Sequence, residues 1–192
     1  TLKAFAGFLN YPLESYMQVP FFQLLTAPMS DALLKISSAS TMKGQAFEYQ
    51  FEALWHESGA QDRGIIRATT GWPSQAWEMI LTGPILYLGN PIFKCPNANC
   101  ASPRDYAPVD LELIDPGYLP RSNYKPSLDP IAYRQNAPTC KWHPSKTALD
   151  FFRLAFRRRV DVGAERTFSC AIIQPDVAHI DSIESVLFSD FR

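Results

Sequence analysis

Positive side chains crowd one stretch of this sequence. Residues 121–166 hold 10 Lys/Arg against 4 Asp/Glu. Residues 1–120 hold 7 against 11, and residues 167–192 hold 1 against 4. The whole chain carries a net charge of −1, so no global field points to nucleic acid or membrane. The basic block is interleaved with Tyr124, Tyr133, Trp142, Phe151, Phe152 and Phe156. Guanidinium and ammonium groups neutralise phosphates and release counterions. Arginine also reads guanine edges with two hydrogen bonds, and aromatic faces stack on displaced bases. The alternative is a solvated basic face with the aromatics in the core.

Thiols and imidazoles offer a second chemistry. Cys95, Cys100, Cys140 and His143 are four soft or borderline ligands on two short segments, a set that could hold a tetrahedral zinc ion. The competing reading makes the cysteines loop thiols and His143 a surface side chain. His56-Glu57 has no second histidine at metal-binding helical spacing. No Gly-x-Ser-x-Gly elbow, phosphate-cradling glycine loop or nuclease-type Pro-Asp…Glu-x-Lys is found. Four cysteines in 192 residues are too few for a disulfide scaffold, so reduced thiols and a cytoplasmic location are expected. No apolar run approaches a membrane span.

The elements that must position these groups form an expected α+β chain. It has a helical N-terminal part, a loop-rich middle, and short strands with a C-terminal β-hairpin. Residues 30–58 read as helical territory. Asp31 is a cap, and Phe47, Phe51, Leu54 and Trp55 fall near the helical period. Ser74 caps a short helix over residues 75–81. Residues 85–88 read as a buried strand, and residues 109–114 as the one strand-like run of the proline-rich middle. Residues 152–160 and 166–174 read as a hairpin. Arg153, Arg157 and Arg159 share one face, and Leu154, Phe156 and Val160 the other. A helix over residues 145–159 is the competing reading. Sixteen prolines favour loops over long helices. The chain reads as one domain or a fragment cut from a longer polypeptide, with residues 1–82 mainly helical and 83–192 mixed strand and loop.

Four passages, in order, resemble the region downstream of the catalytic domain in large adenine-specific (N6) DNA methyltransferases of the type IIG restriction–modification and phage-defence kind. The first is Trp55-His56-Glu57 with residues 61–67 (QDRGIIR), and the second is residues 83–94 (GPILYLGNPIFK). The third is Asp110-Leu111 followed by residues 118–124 (YLPRSNY). The fourth is residues 153–157 (RLAFR), then 165–168 (ERTF) and 171–175 (AIIQP). Within the second, Asn90-Pro91-Ile92-Phe93 is similar to the Asn-Pro-Pro-Tyr/Phe motif that holds a flipped adenine. Ile92 breaks the match, and no glycine-rich cofactor turn precedes it, so it reads as a look-alike loop.

The resemblance implies target recognition on double-stranded DNA, with S-adenosylmethionine chemistry left to a catalytic domain of the same polypeptide. No cofactor is expected in this stretch, and it is not expected to catalyse alone. Arg121, Asn123, Tyr124 and Lys125 on a loop, and Arg153, Arg157 and Arg159 on the hairpin, are the candidate DNA contacts. A protein-interaction or scaffolding domain, or a small zinc-stabilised module, is the alternative.

Overall fold

A computed structural model describes residues 48–159 and 168–189. The chain divides between residues 46 and 47, and all described residues belong to the unit Phe47–Arg192. The described elements are β1 (Tyr49–Glu52), α1 (Glu57–Asp62), β2 (Ile66–Gly71), β3 (Ile80–Leu81), β4 (Lys94–Pro96), β5 (Tyr106–Pro108), β6 (Ser122–Pro126), α2 (Pro130–Gln135), β7 (Thr139–Cys140), β8 (His143–Thr147), β9 (Arg153–Arg157), β10 (Cys170–Ile173), β11 (Ala178–His179) and β12 (Ile183–Phe188).

The described residues are thus mostly strand, with two α-helices of six residues each, and this overturns the expected α+β chain with a helical N-terminal part. The predicted cap at Asp31 and most of the predicted helix over residues 30–58 lie outside the described residues. The end of that helix that is described is β1, paired with β12 from Tyr49↔Phe188 to Glu52↔Ser185. Leu54 adopts φ 52°, which no right-handed helix admits. The predicted helix over residues 75–81 is a single 3-10 turn, Ala76–Glu78, that runs into β3. The predicted strand at residues 85–88 is the end of a 3-10 turn, Gly83–Ile85, followed by a Tyr87–Asn90 turn. The strand predicted over residues 109–114 lies instead at β5, just before it. A hydrogen bond from Leu113 N–H to the Asp110 carbonyl, at 3.2 Å, turns the chain there.

The main sheet has the order β1-β12-β9-β10, antiparallel throughout. Strands β9 and β10 pair in the expected hairpin, Arg153 opposite Ile173 and Phe156 opposite Cys170. The turn expected at residues 162–165 lies outside the described residues. Two-stranded ladders join β2 to β6, β3 to β11, β4 to β5 and β7 to β8. Strands β1, β2 and β3 all pair with strands later than residue 120.

Alternation in the two-residue strand β3 feeds two cores. Ile80 points into a cluster with Trp55, Ile65, Tyr133 and Leu149. Leu81 points into a second with Met79, Leu86, Ala155 and Ile173. Trp55 is fully buried, and its indole N–H donates to the Tyr133 hydroxyl at 2.8 Å. Burial holds the Tyr133 phenol well above its ordinary range. α2 carries Tyr133 and is capped by Asp129, whose carboxylate accepts from the Ile131 and Ala132 amides at 3.0 Å each. Arg134 on the same helix bonds to both Asp150 and Asp176, tying α2 to the chain on either side of the main hairpin.

Candidate nucleic-acid interface

Strands β2 and β6 run antiparallel with an irregularity between Ala68↔Tyr124 and Gly71↔Ser122. Such a bulge re-aims side chains next to it. Here Thr69 and Thr70 on one strand, and Asn123 and Tyr124 on the other, open into a cavity of about 540 Å³. Its polar groups are tied together. Asn123 Nδ2 donates to the Tyr106 hydroxyl at 2.7 Å, and Thr70 Oγ1 lies 3.3 Å from Asn123 Oδ1. The Tyr106 hydroxyl and Thr82 Oγ1 are 2.8 Å apart. Burial pushes the Tyr106 phenol up to about 12, so it stays a neutral donor.

The far wall is the loop between β4 and β5. Asp105 closes it by accepting from the Ala101 and Ser102 amides and from Ser102 Oγ, at 3.1, 2.8 and 2.9 Å. The Ser102 bonds hold the Asp105 carboxyl below its usual range.

A second cavity, of about 580 Å³, is lined by Arg157, Arg158 and Arg159 at the end of β9. Glu57, Pro84, Pro103 and Ser182 line both cavities. The two spaces therefore form one groove, with hydroxyl and amide groups at one end and three guanidinium groups at the other. Arg158 Nε sits 3.7 Å from Glu184 Oε1, leaving Arg157 and Arg159 without a carboxylate within 4.0 Å among the described residues. At the shared rim, the Tyr124 hydroxyl donates to Glu57 Oε1 at 2.5 Å. Burial first, and this bond second, hold the Tyr124 phenol above its ordinary range.

The predicted contact residues scatter in an instructive way. Asn123 and Tyr124 line the polar end of the groove, and Arg157 and Arg159 line the basic end. Arg121 faces a separate cavity of about 330 Å³, its guanidinium 4.7 Å from the centre of the Trp72 ring and donating to the Pro96 carbonyl at 2.8 Å. Lys125 lies against Gly71 and donates to the Trp72 carbonyl at 3.2 Å.

Arg153 is no surface contact at all. It is 1% exposed, and its Nη2 donates to the Val177 carbonyl. Its Nε and Nη1 have no hydrogen-bond partner among the described residues. Arg153, Ala155 and Arg157 do share a face of β9, but at Arg153 and Ala155 that face is the inner one. The sequence reading missed Glu57, Thr69, Thr70, Tyr106, Arg158 and Ser182. Only Arg158 carried a local signal, as the middle of an arginine triplet.

The four candidate zinc ligands do not converge. Cys95 and Cys100 belong to the β4–β5 hairpin. Their sulfurs accept from the Arg121 amide at 3.3 Å and from Asn123 Nδ2 at 3.4 Å. Cys140 is 2% exposed in the first core, opposite His143 in the β7–β8 ladder. Burial pushes the Cys140 thiol up to about 11. Among the described residues no group of three or more His, Cys, Asp or Glu could hold a metal ion. All four cysteines are free.

The Asn90 side chain is engaged locally, accepting from the Ile92 amide at 2.9 Å, while Phe93 stacks on Tyr87 with centroids 4.7 Å apart. No described helix is long and apolar enough to cross a membrane. No protein-family model, curated protein or solved structure matches the chain.

Proposed function

We propose that this chain reads double-stranded DNA as the target-recognition part of an adenine-specific DNA methyltransferase or a bifunctional restriction–modification enzyme. Methyl transfer from S-adenosylmethionine would belong to a catalytic domain elsewhere in the same cytoplasmic polypeptide. The observation that carries the reading is the groove. Asn123 and Tyr124 open into one half, Arg157 and Arg159 into the other, and the halves share four lining residues. DNA recognition needs both kinds of group side by side. Cationic side chains fix the register on phosphates, and hydroxyl and amide groups discriminate base edges. Three Arg on one rim supply the first, and the Thr70–Asn123–Tyr106 network, held in place by its own hydrogen bonds, supplies the second.

The test is fluorescence anisotropy of a labelled duplex against the wild-type chain and the Arg157→Ala/Arg159→Ala variant. The variant should bind every duplex more weakly, by roughly tenfold or more at low salt, because phosphate contacts carry no sequence information. Equal affinity of the two proteins removes this groove as the contact surface.

A further inference from the structure

We propose that Glu57 is the base-discriminating group of this groove, a carboxylate that accepts a hydrogen bond from the exocyclic amino group of cytosine or adenine. The inference rests on the DNA-reading role above and specifies how it selects sequence. Glu57 opens α1 and is exposed at the junction of both cavities. The Tyr124 hydroxyl occupies Oε1, so the carboxylate is held across the groove towards β6. Its second oxygen, Oε2, takes no hydrogen bond among the described residues.

Asp181 also lines the basic cavity, but the neighbouring carboxylates have partners of their own. Asp181 Oδ2 lies 3.6 Å from His56 Nε2, and Glu184 pairs with Arg158. Glu57 has no cationic partner within 4.0 Å among the described residues. A carboxylate without a cationic partner, beside three arginines, weakens the attraction for phosphates on every sequence. It favours binding only where it meets a donor. In the major groove of a duplex those donors are the amino groups of cytosine and adenine, whereas guanine O6 and thymine O4 present acceptors there that a carboxylate repels. The same atom thus attracts two bases and rejects two.

Selection from a randomised duplex library, followed by sequencing, tests this with the full chain. The variant Glu57→Gln keeps an acceptor for Tyr124 and nearly the same volume, but removes the charge and adds an amide donor. The wild type should enrich a motif in which one position is restricted to cytosine or adenine. Glu57→Gln should relax that position by roughly tenfold, leave the other positions alone, and bind random duplex more tightly. Tyr124→Phe, which frees the carboxylate without removing it, should relax the same position less. A thermal melt of each variant checks that the fold is intact. An identical motif from wild type and Glu57→Gln overturns the role of Glu57 while leaving the DNA-reading role standing. A wild type that enriches no motif removes both.

Discussion

Acidification should destabilise this protein through one histidine. His179 on β11 is fully buried, with Nε2 2.8 Å from Ser185 Oγ and Nδ1 3.2 Å from the Ile180 carbonyl oxygen. Burial first, and the nearby Arg153 guanidinium second, pull its pKa from 6.5 down to about 3. The folded chain therefore keeps a neutral imidazole at pH values where the unfolded chain binds a proton. Between those two pKa values the unfolded state carries the extra proton, so stability rises with pH and falls as the solution is acidified. At about pH 5 the unfolded imidazole is ~1.5 units below its midpoint. At ~1.4 kcal/mol per unit, that makes a loss of about 2 kcal/mol relative to neutral pH. Most carboxylates titrate below the window from about pH 6.5 to 5. Urea unfolding at pH 7.5 and 5 measures the difference. His179→Gln, which retains a side-chain amide near Ser185, should abolish most of it. Equal losses in wild type and His179→Gln would refute the assignment.

Two further outcomes follow from the cores. Arg153 is buried with Nε and Nη1 unpartnered, and burial lowers its pKa to about 10. Replacing a poorly compensated buried charge with an apolar side chain of similar length is often neutral or stabilising. Arg153→Met should therefore leave the melting temperature unchanged or raise it, while a loss above about 3 kcal/mol would show a buried partner that matters. Tyr133→Phe strands the buried Trp55 indole N–H, and should cost about 1–3 kcal/mol in denaturant unfolding.

Strand alternation explains what the sequence revealed and what it hid. The period of two put Arg153 and Arg157 on one face of β9 and made the hairpin with β10 readable. Periodicity fixes which residues share a face, not which face turns inward. Ala155 between the two arginines, packed at 0% exposure beneath β10 and β12, made the arginine face the inner one at that level. Only from the last residue of the strand, Arg157, onward do the arginines reach the groove.

Phe51, Leu54 and Trp55 imitate a helical stripe for another reason. Phe51 sits 52% exposed on an edge strand, while Leu54 turns the chain at positive φ to bury Trp55. The spacing coincides with 3.6, but the physics is a strand followed by a kink. Asn123 and Tyr124 were legible as polar and aromatic groups in a basic block. Glu57 was not, because its partner Tyr124 lies 67 residues away and no local pattern links them. The helix expected at residues 75–81 and the strand expected at residues 109–114 failed differently in detail but from one cause: proline and glycine at Pro73, Gly83, Pro84 and Pro108 leave room only for single turns and two- or three-residue strands.

The salt dependence of duplex binding tests the central claim most directly. If Arg157 and Arg159 each neutralise a phosphate, log K against log salt should be steep for the wild type and flatter by about 1 for each arginine replaced by alanine. Slopes that coincide for wild type, Arg157→Ala and Arg159→Ala would mean that DNA, if it binds, does so elsewhere on the chain.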